Sequence, residues 1–290
     1  LYVLATTRSF RATRLLEVIQ EGQSLAEIAA DVTVGGLPRQ LRAGITTRHK
    51  SFLLDGKRPE RRLDYALSTP MIVFHPGDLN LVSGPSSLRR ALFDRILVHM
   101  DPTGAEARLR YQEAQRERHR LLVDRGPGAR ELDAYEAVLA EHGARFAEAR
   151  ARVAEYVLGG LLPAFSRMAA PDLQLLGRYE AGGTTDVALF VRELGRRRAL
   201  DQRRGSATFG PHRDELELKI GGRPARTHAS QGQQRILTLA LKVAELETVR
   251  AVTGAEPILL LDDVSSELDP ERTRAVFRFL HETRSQVFVS

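Results

Sequence analysis

The sequence predicts an α/β protein of mixed sheets plus helices, with a helical lobe inserted between two β-containing parts. Three observations carry this. Residues 26–45 alternate apolar with other side chains on either side of Gly35-Gly36, the period-two signature of two strands joined by a tight turn. Residues 105–155 hold ten Arg and ten Asp or Glu, many of them three or four apart, in the manner of helices laced by ion pairs. Ile258, Leu259, Leu260 and Leu261 are apolar throughout, as a strand covered on both faces requires. A helix-length stretch separates them from a second apolar run at 287–289, which makes a βαβ unit.

The elements follow in order. After the first hairpin, Asp55-Gly56 marks a second turn behind Phe52, Leu53 and Leu54. Met71, Ile72, Val73 and Phe74 form a short apolar run ended by Pro76-Gly77, which reads as a buried strand. Ser86 or Ser87 is placed to cap a helix whose apolar positions are Leu88, Leu92, Ile96 and Leu97. The helical patterns that follow break at Gly126-Pro127-Gly128, and they suit a projecting helix–turn–helix arm as well as an ordinary bundle. Another helix is expected over 186–200. Alternation returns at 215–220, Gly221-Gly222 turns, and 223–227 is expected to pair back. Residues 231–252 read as one long helix with Ile236, Leu239, Ala240, Val243 and Leu246 on one stripe. Pro270 stands where the helix of the βαβ unit would begin.

Composition narrows the classes. With 290 residues, about two domains are expected. Cys is absent, which excludes a disulfide framework, a thiolate zinc site and a cysteine nucleophile. The longest apolar stretch, 156–165, is interrupted by Gly159, Gly160 and Pro163 and is far short of the roughly 18 residues of a membrane helix. With no basic, apolar leader visible, a cytoplasmic protein without a membrane partner is expected. The chain starts at Leu1 and stops at Ser290 inside an alternating apolar run, which reads as a piece of a longer protein. Net charge is +6. An Arg-rich composition explains a surplus by itself, so distribution says more. Residues 39–62 carry eight basic and two acidic residues, and residues 192–213 carry seven Arg and two acids. Two localised basic zones suit a polyanionic partner, nucleic acid first, although either zone alone also suits a solvated face.

Two stretches carry chemistry. Asp262 and Asp263 follow the apolar run at 258–261, at the carboxyl end of a buried parallel strand, where α/β proteins place ligands. One carboxylate there suits Mg²⁺, and the next suits orienting or deprotonating a water; a plain solvated turn is the bland reading. Ser230-Gln231-Gly232-Gln233-Gln234-Arg235 opens the long helix with a hydroxyl, a glycine and free amides, a ready anion site that also works as simple capping.

Together these stretches resemble the ABC-type P-loop ATPase heads. Ser230, Gln231, Gly232 and Gln233 look like the signature loop, Ile258–Leu261 with Asp262 and Asp263 like the Walker B strand, and Ser265-Ser266-Glu267-Leu268-Asp269 like the following loop, in which Asp269 closes a dimer interface. Further blocks narrow the resemblance to the RecF family of bacterial recombination mediators. These are residues 1–11, Phe74-His75-Pro76-Gly77-Asp78-Leu79, Arg89-Arg90 with Phe93-Asp94, and Gly210-Pro211-His212-Arg213-Asp214. They span nearly the whole chain and are weakest over 108–199. No Gly-x-x-x-x-Gly-Lys-Ser/Thr loop occurs in the sequence, and in the family that loop lies just upstream of the block resembling residues 1–11.

The resemblance implies an ATPase head in two parts, 1–85 and 201–290, flanking an inserted helical lobe at 86–200. It implies ATP and Mg²⁺ as cofactors and a homodimer formed on ATP. It also implies double-stranded DNA at gaps or junctions, a RecR-type mediator partner, and recombinase loading. Asp262 would serve the metal and Asp263 the water, while Ser230, Gln231, Gly232 and Gln233 would reach nucleotide across the dimer. Most ABC heads carry Glu where Asp263 stands, so a weak, DNA-stimulated ATPase acting as a switch is implied. Arg48, Lys50 and Lys57, from the first basic zone, are the candidate DNA contacts. Other SMC-like heads and a nucleotide-independent DNA scaffold are the alternatives.

Overall fold

The computed structural model describes residues 1–10, 12, 14–60, 65, 67–169, 173–262 and 285–289. Helix α1 spans Tyr2–Thr6, and strands β1, β2, β3 and β4 span Leu25–Val34, Leu37–Thr46, Lys50–Leu54 and Met71–Phe74. Helices α2 (Asn80–Ser83), α3 (Ser86–Met100), α4 (Pro102–Arg125) and α5 (Glu131–Met168) follow, then β5 (Leu175–Glu180) and α6 (Val187–Arg204). The last described elements are β6 (Glu215–Ile220), β7 (Arg223–Pro224), α7 (Ala225–His228), α8 (Gln231–Thr253), β8 (Ile258–Leu261) and β9 (Val287–Val289). Among the described residues no helix is long and apolar enough to cross a membrane.

Packing divides the chain into two compact units, Leu1–Asp78 with Glu245–Ser290, and Leu79–Ala244. By packing, residues 201–244 belong to the second unit.

Among the described residues the first unit holds two three-stranded sheets. One is antiparallel in the order β1-β2-β3. Val34 pairs with Leu37 across Gly35-Gly36, whose φ values of 59° and 81° are those of the tight turn that matches strand twist. The alternation puts Ile28, Ala30 and Val32 of β1 and Leu41 and Ala43 of β2 toward a core with Leu4, Phe52 and Tyr65. Phe52 meets the Tyr65 ring edge-on at 5.6 Å. The Asp55-Gly56 turn forms as expected, with Leu54 bridging Lys57 in a single pair. The second sheet is parallel, β4-β8-β9, with the apolar Ile258–Leu261 strand in the centre. The helix expected to begin at Pro270 lies outside the described residues.

In the second unit α4 and α5 pack along their lengths, as the Tyr111–Phe146 ring contact and the Arg118–Glu136 pair demand of an antiparallel hairpin. They also pack on α3 and α6, so of the two alternatives the bundle is observed. Asp101 caps α4 by accepting from the Gly104 N–H at 2.8 Å, and Asp186 caps α6 through the Leu189 N–H. The cap expected of Ser86 or Ser87 is absent. Pro85 holds the N-cap position of α3, and the Ser86 hydroxyl accepts from Arg90 at 2.7 Å instead. Proline's extended φ and ψ start the helix without a side-chain acceptor. The expected return strand at 223–227 shortens to Arg223–Pro224, because the chain turns into α7 at Ala225.

Charged side chains are buried inside this unit, each with partners. Arg150 donates to Asp214 at 2.9 Å and to Asp94 at 2.6 Å. Asp214 also accepts from the Tyr179 hydroxyl at 2.6 Å and the Gly182 N–H at 2.8 Å. Burial, reinforced by the adjacent Asp214 charge, pushes the Tyr179 phenol well above its ordinary pKa and keeps it a donor. Arg118 donates to Glu136, Asp201 and the Leu194 carbonyl at 2.8, 2.8 and 2.9 Å. Removing one member of such a network strands the others. Arg150→Met is expected to lower the unfolding free energy by about 3–5 kcal/mol in urea denaturation followed by circular dichroism. Arg178→Ala, at an exposed pair with Glu180, should change it by less than about 1 kcal/mol. Equal effects would show that the buried network adds nothing beyond a surface pair.

Candidate functional site

In the first unit the carboxyl end of the parallel sheet carries Asp262. Its backbone N–H donates to the Phe74 carbonyl at 2.8 Å, which continues the β4–β8 ladder one step past the strands. The parallel register therefore sets Asp262 beside the turn that follows β4. In that turn the His75 N–H donates to the Asp78 carboxylate at 3.0 Å, and the Gly77 N–H donates to His75 Nδ1 at 3.1 Å. The imidazole Nε2 lies 3.7 Å from the buried Asp78 carboxylate. The Phe10 ring stacks on His75 at 5.5 Å, and Tyr2 meets Phe10 edge-on at 5.3 Å. The sequence reading quoted residues 74–79 as a block without assigning them a site. Their place beside Asp262 depends on β4 pairing with β8, and no spacing along the chain encodes that.

Asp263 and Asp269 lie outside the described residues. Among the described residues no three His, Cys, Asp or Glu side chains converge as a ready-made metal site. A single carboxylate at a strand end suits Mg²⁺ better than most cations. Mg²⁺ keeps several waters and is held through one or two carboxylates plus phosphate oxygens.

In the second unit, Ser230 and Gln231 are exposed at the start of α8. The Ser230 hydroxyl accepts from the Gln233 N–H at 3.2 Å, and the Gln233 side-chain oxygen accepts from the Ser230 N–H at 2.9 Å. This is a reciprocal capping box. The Gln234 N–H closes the first helical turn onto the Ser230 carbonyl at 2.9 Å. The Gln231 and Gly232 amides stay without a partner among the described residues, at the positive end of a 23-residue helix. An anion is the complementary ligand for that end. Gln233 spends its amide oxygen on the cap, so Ser230, Gln231 and Gly232 are the groups that face outward.

The three candidate DNA contacts are not brought to one point. Arg48 lies in the turn after β2, and Lys50 opposite Ile45. Lys57 bridges Leu54, which pairs with Leu41, so about 13 Å of strand separate it from the other two. All three are exposed.

No family model matches the chain. Among curated relatives, the DNA replication and repair protein RecF of Myxococcus xanthus is 35% identical over 301 residues, covering 100% of this chain and 79% of the relative. That of Anaeromyxobacter sp. strain Fw109-5 is 36% identical, covering 100% and 80%. A solved structure described as the recombination mediator protein RecF with ATP in the RecFOR pathway superposes with a TM-score of 0.88 at 25% identity, covering 100% of this chain and 81% of that one. An Smc head bound to the winged-helix domain of ScpA superposes with a TM-score of 0.52 at 16% identity, a likeness of fold alone. The fold is thus that of the ATPase heads.

The cap itself is testable. Ser230→Ala should cost about 1 kcal/mol of stability and Ser230→Gly only a few tenths, read from the urea midpoint of the second unit's helical signal. An equal cost for both would mean that the hydroxyl does not cap α8.

Proposed function

This chain belongs to the RecF family of DNA replication and repair proteins, and from that premise we propose that it is an ATP-driven DNA-binding switch that pairs with itself around nucleotide. The observation that carries the reading is the exposed start of α8, where the Ser230 hydroxyl and the Gln231 and Gly232 amides form an anion site that no protein anion among the described residues fills. In a homodimer these groups would reach the terminal phosphate of ATP held by the opposite copy. Asp262 would hold Mg²⁺, which when bound offsets the charge of the phosphates. Asp263 would orient and deprotonate the attacking water, and Asp269 would lie in the dimer interface. Nucleotide occupancy and dimerisation then form one equilibrium. Hydrolysis through the short Asp263 side chain is slow and ends the paired state, with DNA stimulating it.

On this reading the chain is cytoplasmic and engages double-stranded DNA at single-strand gaps or junctions. It acts with a RecR-type mediator to load recombinase, and Arg48, Lys50 and Lys57 contribute backbone contacts. The head comprises residues 1–85 and 201–290, with the helical lobe at 86–200 between them. What supports this is the similarity over the whole of this chain to relatives named for DNA replication and repair, and the exposure of Arg48, Lys50 and Lys57, which make no ion pair among the described residues.

Two substitutions in the full-length protein test the reading. Ser230→Arg should abolish ATP-dependent dimerisation in sedimentation runs while nucleotide binding by the monomer persists. A mutant that still dimerises with ATP removes the role across the dimer. Asp263→Asn keeps the side-chain shape and removes the base, so turnover should fall by about 10²-fold or more while ATP-bound dimers accumulate. Loss of ATP binding, with turnover per bound nucleotide unchanged, contradicts the assignment.

A further inference from the structure

The structure sorts the charges of the second basic zone into paired and free. Arg196 and Arg197 both pair with Glu193, and Arg198 pairs with Asp133 and Glu136. Arg192, Arg203, Arg204 and Arg213 make no ion pair among the described residues. Three of these four, Arg203, Arg204 and Arg213, lie at the end of α6 and just beyond it, while Arg192 lies in its first half. A pocket of about 270 Å³ opens there, lined by Arg116, His119 and Leu122 of α4, by residues 205–207, and by His212 and Arg213. Arg116 and His119 are exposed one helical turn apart and make no ion pair among the described residues. Among the described residues Asp201 is the one carboxylate in the lining, and it is already engaged. It accepts from Arg118 at 2.8 Å, from the Thr208 N–H at 2.9 Å and from the Thr208 hydroxyl at 2.7 Å. The lining thus offers Arg116 and Arg213, which have no ion-pair partner among the described residues.

Buried bonds hold this wall in place. The His212 ring sits between the Tyr111 hydroxyl at 2.7 Å and the Ala207 carbonyl at 3.0 Å, and burial lowers its pKa so that it stays neutral. The Pro211 carbonyl accepts from Arg150 at 2.5 Å. Gly210 has φ 129°, and a Cβ there would come within 2.1 Å of the Tyr111 hydroxyl. The block Gly210-Pro211-His212-Arg213-Asp214 is therefore anchored on both sides of Arg213, whose side chain is left facing out.

We propose that this pocket seats a phosphate of a nucleic-acid backbone on the helical unit, held by Arg116, His119 and Arg213 and the Ser206 hydroxyl, with Arg203 and Arg204 serving the neighbouring phosphates. The inference rests on the DNA-binding reading above and gives it a second contact surface. Guanidinium forks match phosphate oxygens in pairs. The volume is below the 300–1,000 Å³ of whole small-molecule sites, so it takes a phosphodiester with its sugar rather than a free nucleotide. An acidic protein segment fits less well, because protein partners are held by large apolar and aromatic anchors and the lining supplies only Leu122 and Ala207 for them.

The test uses the full-length protein with ATP and Mg²⁺ and a fluorescently labelled duplex bearing a single-stranded tail, titrated between about 50 and 200 mM salt. Arg116→Ala/Arg213→Ala should lower the salt slope by about 1.8 and weaken binding by roughly tenfold or more at the lower salt. Arg110→Ala/Arg223→Ala removes the same net charge from two exposed arginines outside the lining and should leave the slope as it was. Among the described residues neither the Arg116 nor the Arg213 side chain makes a hydrogen bond or ion pair, so the thermal unfolding midpoint should not move. Wild-type binding with equal slopes in all three proteins overturns the pocket, as does an equal loss in both double variants. A wild-type protein that binds no duplex with ATP overturns the DNA-binding reading itself, and the pocket with it.

Discussion

One buried carboxylate, Asp214, organises the helical unit. A charge taken out of water must be paired and hydrogen-bonded, because its desolvation costs several kcal/mol even after relaxation. Asp214 meets that demand with three donors from distant parts of the chain: Arg150 of α5, the Tyr179 hydroxyl of β5 and the Gly182 amide. Arg150 carries the constraint onward to Asp94 of α3, and Arg90 of the same helix donates to the Asp214 carbonyl at 2.8 Å. One residue thereby fixes where two helices, a strand edge and the 210–213 segment meet. The geometry is narrow as well as stable, since each donor has one direction from which it satisfies the carboxylate.

That arrangement explains which parts of the fold were legible in the sequence. Where local chemistry decides, the reading succeeds. Gly35-Gly36 between alternating runs gives a two-residue hairpin, and Ile258–Leu261 gives the central strand of a parallel sheet. Where distant pairing decides, it does not. Arg118, Glu136 and Arg150 belong to a stretch of balanced charge that looks like solvent-facing lacing, yet they are 1–2% exposed. Their partners Asp201 and Asp214 lie 83 and 64 residues away, so the pattern along the chain contains no sign of burial. The choice between a projecting arm and a bundle turned on those residues. Ser86 failed as a cap for a smaller reason: the preceding Pro85 already supplies the extended conformation, and Arg90 takes the hydroxyl.

The candidate sites divide in the same way. Ser230 and Gln233 stand three apart before an apolar stripe, and a capping box is legible from that spacing alone. Asp262 is legible as the residue after a buried strand. His75, Asp78 and Phe10 are not, because only the β4–β8 pairing sets them near it. The basic zones show the limit of counting charge. Residues 192–213 carry a surplus of positive charge, but Glu193, Asp133 and Glu136 take up three of their seven arginines, and three of the remaining four stand at or just beyond the end of α6. Likewise Arg48 and Lys57 are near neighbours in sequence and lie toward opposite ends of one strand pair.

The cap at Ser230 bears on how a ligand would be received. A hydroxyl both accepts and donates. Here its oxygen accepts the Gln233 N–H, and the O–H remains to donate. The reciprocal bond from the Ser230 N–H to the Gln233 side chain holds the loop in its helical entry before any anion arrives. An anion approaching this end therefore does not displace a protein bond. It adds to the Gln231 and Gly232 amides, whose direction the first turn of α8 already sets. Preorganised dipoles of this kind need no rearrangement on binding, so little of the interaction is lost to ordering the loop. Replacing Ser230 with a residue that cannot cap would loosen the same amides that it helps to aim, and stability and anion affinity at this end should fall together.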